Sequence, residues 1–316
     1  MSFEHQQNYP HGIMFHRFYG PNTPQSQGAI NSSQLENVIL KIGVERILSP
    51  NEWLDKVKKN SLKDYHVCLT FDDCLKSQIL IADPVLKKYN LTAFYFIHSL
   101  TFFGEVDFNE IFSNIIFNHY NNMNDFMKDF VPYIDIREDA FTDNKYIIFY
   151  DLMKSRYSFY SDGDIKYRYL RNSFYNYDSF NKLMKKYFIQ KKYMDKIDIK
   201  SIWMNEKDLS LLSKSGNVIG LHSYSHHINF KNFSYDIQKE EYEKNKKHLE
   251  NLIGYKIISA SHPLGSYNFD TIKVFKKLAI ECAFRSNNAI PDGKDYINPN
   301  NLELARIDVC DILNQL

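Results

Sequence analysis

The chain has 316 residues, with 39 Lys and Arg against 38 Asp and Glu, so its formal net charge at pH 7 is +1. This balance excludes a protein that binds nucleic acid mainly by neutralising phosphates, because such proteins carry a clear basic excess. A hydrophobic share of 44% and a charged share of 24% indicate a folded protein with a substantial core. Aromatic residues make up 16% of the chain, whereas there are only 11 glycines, so the chain is rich in rings and poor in turn residues.

The cysteines and the first residues of the chain bear on its compartment. The four cysteines, at positions 68, 74, 282 and 310, are too few and too scattered for a disulfide framework, and we interpret them as reduced thiols. The first residues lack the basic and apolar regions of a secretory signal, and no stretch approaches the roughly 20 apolar residues that a membrane span requires. We therefore expect a cytoplasmic protein without a membrane span.

Short apolar runs alternate with segments of helical periodicity in the first hundred residues and again after residue 200. The predicted strands cover residues 11–18, 66–71, 92–97, 217–221, 257–260, 281–284 and 302–309. The predicted helices cover residues 33–42, 79–89, 205–213 and 234–252, and one more is capped by Asn268. This alternation implies a parallel sheet with crossover helices, and the strand count fits a closed or partly closed β/α barrel. Active sites of such barrels lie at the C-terminal ends of the strands.

The alternation stops between residues 101 and 200. This stretch holds 25 of the 49 aromatic residues but only two glycines and one proline, and its apolar residues recur at helical spacing. Its charges are divided as well, because residues 101–153 carry a net charge of −7 and residues 154–200 a net charge of +7. We predict a first part of the barrel at 1–100, a helical, aromatic-rich insertion at 101–200 packed on the barrel, and a second part of the barrel at 201–316.

Two adjacent carboxylates follow the predicted strand at 66–71. Asp72 and Asp73 belong to the sequence Thr-Phe-Asp-Asp-Cys at 70–74. Consecutive residues that leave a strand point to different sides, so one carboxylate can bind a metal ion while the other faces a water molecule beside it. Taken alone, such a pair is more often the cap of a helix. The interpretation therefore depends on what the other strands carry.

Two further strand ends carry polar residues that a core would not select. His222 and His226 belong to His-Ser-Tyr-Ser-His, directly after the strand at 217–221, and two imidazoles four residues apart can converge on one ion if the loop turns helically. One Asp and two His with an open coordination position suit a hydrolytic Zn²⁺ or a similar ion. The third segment, Ser-His-Pro-Leu-Gly-Ser-Tyr at 261–267, has a Pro and a Gly that shape the backbone so that an N–H can point at a developing oxyanion.

Taken in this order, the three segments resemble the motifs of the polysaccharide deacetylase family, also called the NodB-homology domain or carbohydrate esterase family four. The family motifs read Thr-Phe-Asp-Asp-Gly, His-[Ser/Thr]-x-x-His and, in a common subgroup, Pro-[Tyr/Phe]-Gly-Ser-Tyr-Asn; here they stand at 70–74, 222–226 and 263–268. The resemblance covers residues 11–100 and 201–310 and leaves the insertion unexplained. It implies a distorted (β/α) barrel that uses a divalent metal ion, Zn²⁺, to remove an N-acyl group, usually acetyl, from an amino sugar.

The resemblance also implies roles for individual residues. The implied metal ligands are Asp73, His222 and His226. Asp72 would be the general base that activates the attacking water. The backbone N–H of Leu264, in a turn shaped by Pro263, would stabilise the tetrahedral oxyanion.

Two positions depart from the family pattern. Cys74 stands where the family usually has Gly, so we expect a backbone without positive φ at this position. Ser261 stands where many members have an Arg that orients the base. Arg306, at the end of the last predicted strand, is the candidate to supply that charge, and its alternative is a purely structural ion pair.

The source of the proton for the departing amine stays open from the sequence. The family's C-terminal Leu-x-His, whose His acts as the general acid, has no counterpart here, although a departing amine needs a proton. The candidates are His262 and His16, each at the end of a predicted strand, and Asp72, which would return the proton it took. We interpret the following histidines as ordinary surface or half-buried side chains: His66, His98, His119, His227 and His248.

The sequence therefore predicts a metal-dependent carbohydrate N-deacetylase. Because the chain lacks a secretion signal and residues 154–200 are basic, we expect its substrate to be a nucleotide-linked or lipid-linked N-acetylated amino sugar in surface-glycan biosynthesis. One alternative keeps the chemistry and changes the acyl group to formyl, since relatives of the family deformylate lipid-linked amino sugars. Another is a non-catalytic glycan-binding protein on the same barrel, which the absent C-terminal His favours and the retained carboxylates and histidines oppose.

Overall fold

The computed structural model describes residues 7–134, 136, 138–156 and 160–315. The chain divides into two compact units. The barrel unit consists of Met1–Thr23, Gln27–Asp107 and Ser201–Leu316, and the helical unit consists of Pro24–Ser26 and Phe108–Lys200.

The barrel unit is built on one sheet of seven parallel strands. They are β1 His11–Phe15, β2 Val67–Phe71, β3 Phe94–Ile97, β4 Val218–Leu221, β5 Ser259–Ser261, β6 Cys282–Phe284 and β7 Arg306–Asp308. The order across the sheet is β6-β5-β4-β3-β2-β1-β7, and every neighbouring pair is parallel. A bridge between Phe284 of β6 and Leu304, just before β7, joins the two ends of the sheet. The strands thus form a nearly closed barrel, which confirms the predicted distorted (β/α) barrel.

The described residues form twelve α-helices. They are α1 Ser32–Ile42, α2 Pro50–Lys58, α3 Asp83–Lys88, α4 Phe108–His119, α5 Met123–Tyr133, α6 Asn144–Arg156, α7 Asp162–Tyr169, α8 Tyr177–Gln190, α9 Glu206–Lys214, α10 Tyr235–Ile253, α11 Phe269–Lys277 and α12 Val309–Leu313. Helices α4 to α8 belong to the helical unit. None of the helices in the described part of the chain is long and apolar enough to cross a lipid bilayer.

Local sequence signals set where several helices begin. Asn205, Ser234 and Asn268 cap α9, α10 and α11, because the side-chain oxygen of each accepts a hydrogen bond from a backbone N–H of the first turn. Helix α2 is absent from the prediction. Its sequence does carry a start signal, since Ser49 and Glu52 form a capping box around a proline in the first turn.

Apolar side chains fill much of the barrel interior, which also encloses the buried side chain of Arg306. The ring of Phe284 of β6 packs at a tilt of 52° against that of Phe96 of β3, a strand that is not its neighbour, so both rings point into the barrel. The apolar cluster around them comprises Trp53, Leu54, Val57, Cys68, Phe94, Phe96, Cys282, Phe284 and Leu304. A Cβ at Gly12 of β1 would lie 3.1 Å from Cγ of Arg306, so glycine leaves the space that the stem of this buried side chain occupies. Each fully buried ring stabilises the barrel by about 1.5–3 kcal/mol.

Aromatic rings form the core of the helical unit. The fully buried rings at its centre are those of Phe112, Phe126, Phe130, Phe180, Tyr187 and Phe188. Asp129 of α5 accepts hydrogen bonds from the hydroxyl groups of Tyr120 and Tyr187 and from the ammonium group of Lys191. This last contact pairs an acidic residue of the first half of the segment with a basic residue of the second.

Candidate metal site

Four neighbouring strands of the barrel are followed by polar side chains. His16 follows β1, Asp72 and Asp73 follow β2, His98 follows β3 and His222 follows β4. Because side chains alternate along a strand, the inward-facing series of each strand continues into His16, Asp72, His98 and His222. Asp73 follows Asp72 with a left-handed backbone conformation. Parallel strands share their carboxyl end, so the polar side chains meet at one mouth of the barrel.

Asp73, His222 and His226 form the one group in the described part of the chain that could hold a metal ion. Their donor atoms lie within 4.8 Å of one another, and all three residues are buried. Oδ1 of Asp73 lies 3.4 Å from Nε2 of His222 and 3.2 Å from Nε2 of His226. The fold therefore brings together the three residues that the motifs single out as ligands.

Both imidazoles are held through the ring nitrogen that faces away from Asp73. Nδ1 of His222 lies 3.0 Å from the carbonyl oxygen of Ser261, which can only accept, so Nδ1 donates and Nε2 keeps its lone pair. Nδ1 of His226 lies 3.0 Å from Oδ2 of Asp107, another acceptor when ionised. The Nε2 lone pairs of both histidines are thus available, together with Oδ1 of Asp73, to bind a cation.

The donor set fits a divalent cation. Oδ1 of Asp73 is buried and makes no hydrogen bond of acceptable geometry to any described residue, and such an atom is costly unless something else satisfies it. Donor separations of 3.2 and 3.4 Å match the roughly 3.3 Å edge of a tetrahedron whose metal–ligand bonds are about 2.0–2.1 Å long. One carboxylate and two imidazoles are ligands that suit Zn²⁺ and leave a coordination position for substrate.

Backbone strain is concentrated in the same three segments. Of the nine non-glycine residues with left-handed φ in the described chain, five lie there: Asp73, Cys74, Ser223, His226 and Leu264. Each such residue costs about 1–2 kcal/mol, and strain of this kind clusters at functional sites. The expectation for Cys74 is wrong, because its φ is 59°. The buried Cys74 adopts a left-handed conformation that glycine would adopt without strain. The turn is therefore the one that the glycine of the family motif allows, although the residue is different.

Asp72 is bound at both oxygens by one guanidinium group. Nη1 of Arg306 donates to Oδ1 at 2.8 Å and Nη2 donates to Oδ2 at 2.7 Å. The hydroxyl group of Ser261 donates to Oδ2 at 3.2 Å and accepts from Nη2 at 2.7 Å. Arg306 and Ser261 are fully buried and Asp72 is 2% exposed. Arg306 thus occupies the place beside the carboxylate that the sequence comparison left open at Ser261.

The electrostatics keep both carboxyl groups ionised at neutral pH. Burial alone would raise the pKa of Asp72, but the guanidinium of Arg306 and the imidazole of His222 outweigh it and hold the pKa below its ordinary value. Burial would likewise raise the pKa of Asp73, and nearby imidazoles, above all that of His226, hold it well below the ordinary value. One ionised carboxylate therefore faces the candidate ligands while the other is fixed by Arg306.

His16 lies beside Asp72 and is partly open to solvent. Its Nε2 lies 3.8 Å from Oδ2 of Asp72, and a third of its side chain is exposed. The buried amide of Gln78 joins the two backbones, because its Nε2 donates to the carbonyl oxygens of His16 at 2.8 Å and of Asp72 at 2.6 Å. Gln78 begins a π-turn just before α3, a feature often found at functional sites.

His262, the other candidate acid, is enclosed by protein. Its ring stacks between those of Tyr267 and Phe275, with centroids 4.1 and 5.0 Å away. Nε2 lies 2.9 Å from the carbonyl oxygen of Leu302, and burial lowers the pKa to about 3. The structure therefore does not bring His262 to the open side of the site as it does His16.

The third motif forms a short turn after β5. Pro263 is buried, whereas the side chain of Leu264 is 53% exposed and its backbone has φ 52° and ψ 19°. The next two N–H groups close the turn, since Gly265 donates to the carbonyl oxygen of His262 and Ser266 to that of Pro263. This geometry exposes the tip of the turn at the carboxyl end of the strand.

Helix α10 holds the loop after β4 through polar residues that the sequence reasoning missed. Oδ1 of the fully buried Asn245 accepts from the N–H of His222 at 3.2 Å, and its Nδ2 donates to the carbonyl oxygen of Ile97 at 3.0 Å. One turn earlier, Glu241 accepts from the N–H and the hydroxyl group of Ser225 at 2.8 and 3.0 Å. The sequence feature that could have predicted them is their spacing, because two polar residues four apart lie on the same face of α10, here the face that packs inwards.

His98 is a further residue of the site that the sequence reasoning missed. Its ring stacks on that of His226 with centroids 5.4 Å apart and an angle of 16° between the planes. It is fully buried, and burial lowers its pKa to about 4. The interpretation of His98 as a surface or half-buried side chain is therefore wrong, and the same holds for His66, which is also buried.

One sequence-family model matches part of the chain. Residues 177–283 match the sequence model described as polysaccharide deacetylase. The matched segment contains the loop with His222 and His226 and the turn with Leu264, whereas Asp72 and Asp73 lie outside it. No curated protein matches the sequence of this chain.

Solved structures with the same fold cover almost the whole chain. The Streptococcus pyogenes deacetylase PplD in complex with acetate has a TM-score of 0.54 at 15% identity and covers 96% of both chains. IcaB from Ammonifex degensii has a TM-score of 0.56 at 14% identity, covering 96% of this chain and 92% of that one. A de-N-acetylase from Aggregatibacter actinomycetemcomitans has a TM-score of 0.53 at 15% identity, covering 97% and 99%. These similarities show a common fold.

Proposed function

We propose that the chain is a member of the polysaccharide deacetylase family, whose sequence model residues 177–283 match and whose motifs it resembles. We further propose that it is a metal-dependent hydrolase that removes the N-acetyl group of an amino sugar. One observation carries the proposal. The candidate ligands Asp73, His222 and His226 lie directly beside Asp72, whose Oδ2 is 3.8 Å from Nε2 of His222. Amide hydrolysis needs an electrophilic centre and a base next to each other, and here the residues that would hold the cation lie beside the proposed base.

The proposed chemistry divides between the cation and the protein. A divalent cation on Asp73, His222 and His226, for which Zn²⁺ suits the donor set, would supply Lewis-acid polarisation of the amide carbonyl. Asp72 accepts the proton of the attacking water. Arg306 holds both oxygens of that carboxylate, so that the base stays ionised and oriented. The water oxygen forms the new bond to the acyl carbon, and the bond to the sugar nitrogen then breaks.

The turn after β5 is the proposed oxyanion donor. The backbone N–H of Leu264 would stabilise the charge that develops on the carbonyl oxygen, and the left-handed φ of this residue sets the direction of its peptide groups. Pro263, buried before it, restricts the backbone of the turn. A donor fixed in this way costs no reorganisation during the reaction.

His16 is the proposed donor of the proton to the departing nitrogen. It is the histidine candidate that is both next to the base and partly exposed, whereas the ring of His262 is enclosed and bonded to a backbone carbonyl. Gln78 holds the backbones of His16 and Asp72 together, so the acid and the base keep a fixed relation. Proton transfer by a positioned side chain contributes about 10²–10⁴-fold in rate.

The proposed substrate class is an N-acetylated amino sugar on a phosphate-bearing carrier, either a nucleotide or a lipid. The support is the charge of residues 154–200, which carry 12 basic and 5 acidic residues. A local basic excess raises the concentration of phosphate-bearing ligands near the protein. The net charge of the whole chain, +1, does not reveal this local excess.

A screen of purified, metal-replete protein tests the function. We expect release of acetate from a nucleotide-linked or lipid-linked N-acetyl sugar, loss of that activity with a chelator, and its return with Zn²⁺ or Co²⁺. Release of formate in place of acetate would assign the deformylase reaction. Tight binding of a sugar without hydrolysis, by protein that contains no stoichiometric metal, would contradict the proposal and favour a glycan-binding protein.

Replacing His16 tests the proton donor. His16→Gln is expected to lower kcat by about a hundredfold without changing the metal content, because glutamine cannot transfer a proton. His262→Gln is the matched control, and we expect its kcat to stay close to that of the wild type. Steady-state kinetics and metal analysis of both variants show which histidine donates the proton. A large loss of kcat in His262→Gln with little change in His16→Gln would reverse the assignment.

A further inference from the structure

The segment that follows β3 lies against the loop that carries both histidine ligands. We call residues 98–107 the β3 strap. The N–H of Leu100 donates to the carbonyl oxygen of Tyr224 at 2.9 Å, and the hydroxyl group of Tyr224 donates to Oε1 of Glu105 at 2.7 Å. These contacts fix the strap at two points on the part of the loop that lies between His222 and His226.

The strap also contacts one of the ligands directly. Oδ2 of Asp107 lies 3.0 Å from Nδ1 of His226, and the ring of His98 stacks on the same imidazole. Asp107 is 5% exposed. Burying a carboxylate is costly unless it is paired and hydrogen-bonded. The buried position of Asp107 against a candidate ligand therefore indicates that its contact with His226 has a function.

The two imidazoles differ in what holds them. His222 is bound at Nδ1 by a neutral carbonyl group, that of Ser261, whereas His226 is bound at Nδ1 by a carboxylate. A carboxylate at the far nitrogen of a metal-binding imidazole fixes its tautomer and orientation and increases the basicity of the ligating nitrogen. His226 needs such support, since its backbone is in the left-handed region at φ 52° and its loop follows a strand of only four residues.

We propose that Asp107 is a positioning residue that sets the affinity of the site for its metal ion, by holding the imidazole of His226 with Nε2 facing Asp73. The inference rests on the proposed metal site and extends it to a residue that none of the three motifs contains. It also gives the strap a function, because the strap carries Asp107 to the ligand.

A purely structural role makes a different prediction. If Asp107 only anchored the strap, its replacement would lower the melting temperature of the metal-free protein and leave metal affinity unchanged. If it positions His226, metal affinity falls more than the stability of the metal-free protein. Glu105 offers the matched control, because it is a carboxylate of the same strap that binds the Tyr224 hydroxyl group and not an imidazole.

The experiment measures metal affinity without any substrate. The full chain and its Asp107→Asn, Asp107→Ala and Glu105→Gln variants are titrated with Zn²⁺ against a chromophoric chelator, and the absorption bands of bound Co²⁺ are recorded. We expect Zn²⁺ affinity to fall by about 10-fold in Asp107→Asn and by up to about 100-fold in Asp107→Ala. The Co²⁺ bands shift in both variants, and Glu105→Gln stays close to the wild type.

Each outcome of this experiment supports or contradicts the proposed role of Asp107. Wild-type affinity and unchanged Co²⁺ bands in Asp107→Asn would overturn the inference and leave the proposed function standing. A wild type that binds neither Zn²⁺ nor Co²⁺ would overturn the metal site and the inference with it. Reduced affinity in the Asp107 variants supports the inference even if no sugar is hydrolysed. Asp107→Asn preserves the shape of the side chain, so it carries the test if Asp107→Ala does not fold.

Discussion

Asp73→Asn is expected to abolish stoichiometric metal binding, whereas Asp72→Asn is expected to keep the ion and to lower kcat by about 10²–10⁴-fold. The two carboxylates are adjacent in sequence but differ in surroundings. Oδ1 of Asp73 faces the Nε2 atoms of His222 and His226, and it is a buried atom without a hydrogen bond among the described residues. Both oxygens of Asp72 are engaged by Arg306. We therefore propose Asp73 as a metal ligand and Asp72 as the base.

Metal analysis of the purified variants, together with kcat at saturating metal, separates these roles. Loss of a ligand should cost more than the 10–100-fold in affinity that is typical of a residue which only orients one. The two variants are isosteric with the wild type, so they control for each other. Equal metal content in both variants, or a loss of the metal from Asp72→Asn alone, would contradict the assignment.

Arg306→Met is expected to lower the free energy of unfolding by about 3–5 kcal/mol, because it leaves the carboxylate of Asp72 buried without its cation. It is also expected to lower kcat by about 100-fold, since the base is no longer held in position. The hydrogen bond from Ser261, at 3.2 Å, remains but carries no charge. Urea unfolding and steady-state kinetics measure the two effects.

Arg285→Met is the matched control for this prediction. Arg285 is 3% exposed, and its guanidinium donates to the carbonyl oxygens of Glu303, Ala289 and Ile297. The described residues show no contact from this group to Asp72. We expect Arg285→Met to lower stability while kcat of the folded protein stays close to that of the wild type.

A double-mutant cycle tests whether Arg306 acts through Asp72. Arg306→Met and Asp72→Asn together should cost less than the sum of the two single changes, because each single change leaves a buried polar group without its partner. Additive costs in the free energy of unfolding would show that the two residues are not coupled and would contradict the proposed orientation of the base.

Much of the site is local in sequence, and this is why it can be predicted. Asp72, Asp73, His222 and His226 lie within five residues of the last residue of a strand, and each strand is visible as a short apolar run. Hydrophobic periodicity predicts the strands, and parallel strands bring their carboxyl ends together. The barrel and the candidate ligands follow from these two local rules.

The tertiary structure decides what lies around those residues. The pairing of Arg306 with Asp72 depends on β7 lying beside β1, although the two strands are far apart in sequence. The contacts of Asp107 with His226 and of Asn245 with His222 likewise depend on tertiary packing. No local pattern encodes the contact between Asp107 and His226, which are 119 positions apart, or that between Asn245 and His222, because such contacts depend on how the elements pack.

The same distinction applies to the proton donor and to the strained turn. From the sequence, His16 and His262 are equivalent, since each ends a predicted strand, and only packing shows that one is partly exposed beside Asp72 while the other is enclosed. Cys74 suggests a relaxed backbone, yet its φ is positive. The sequence by itself determined the barrel and the order of the candidate ligands, because hydrophobic periodicity and strand ends are local properties. The structure decided burial, pairing and strain, because these arise only when distant segments meet.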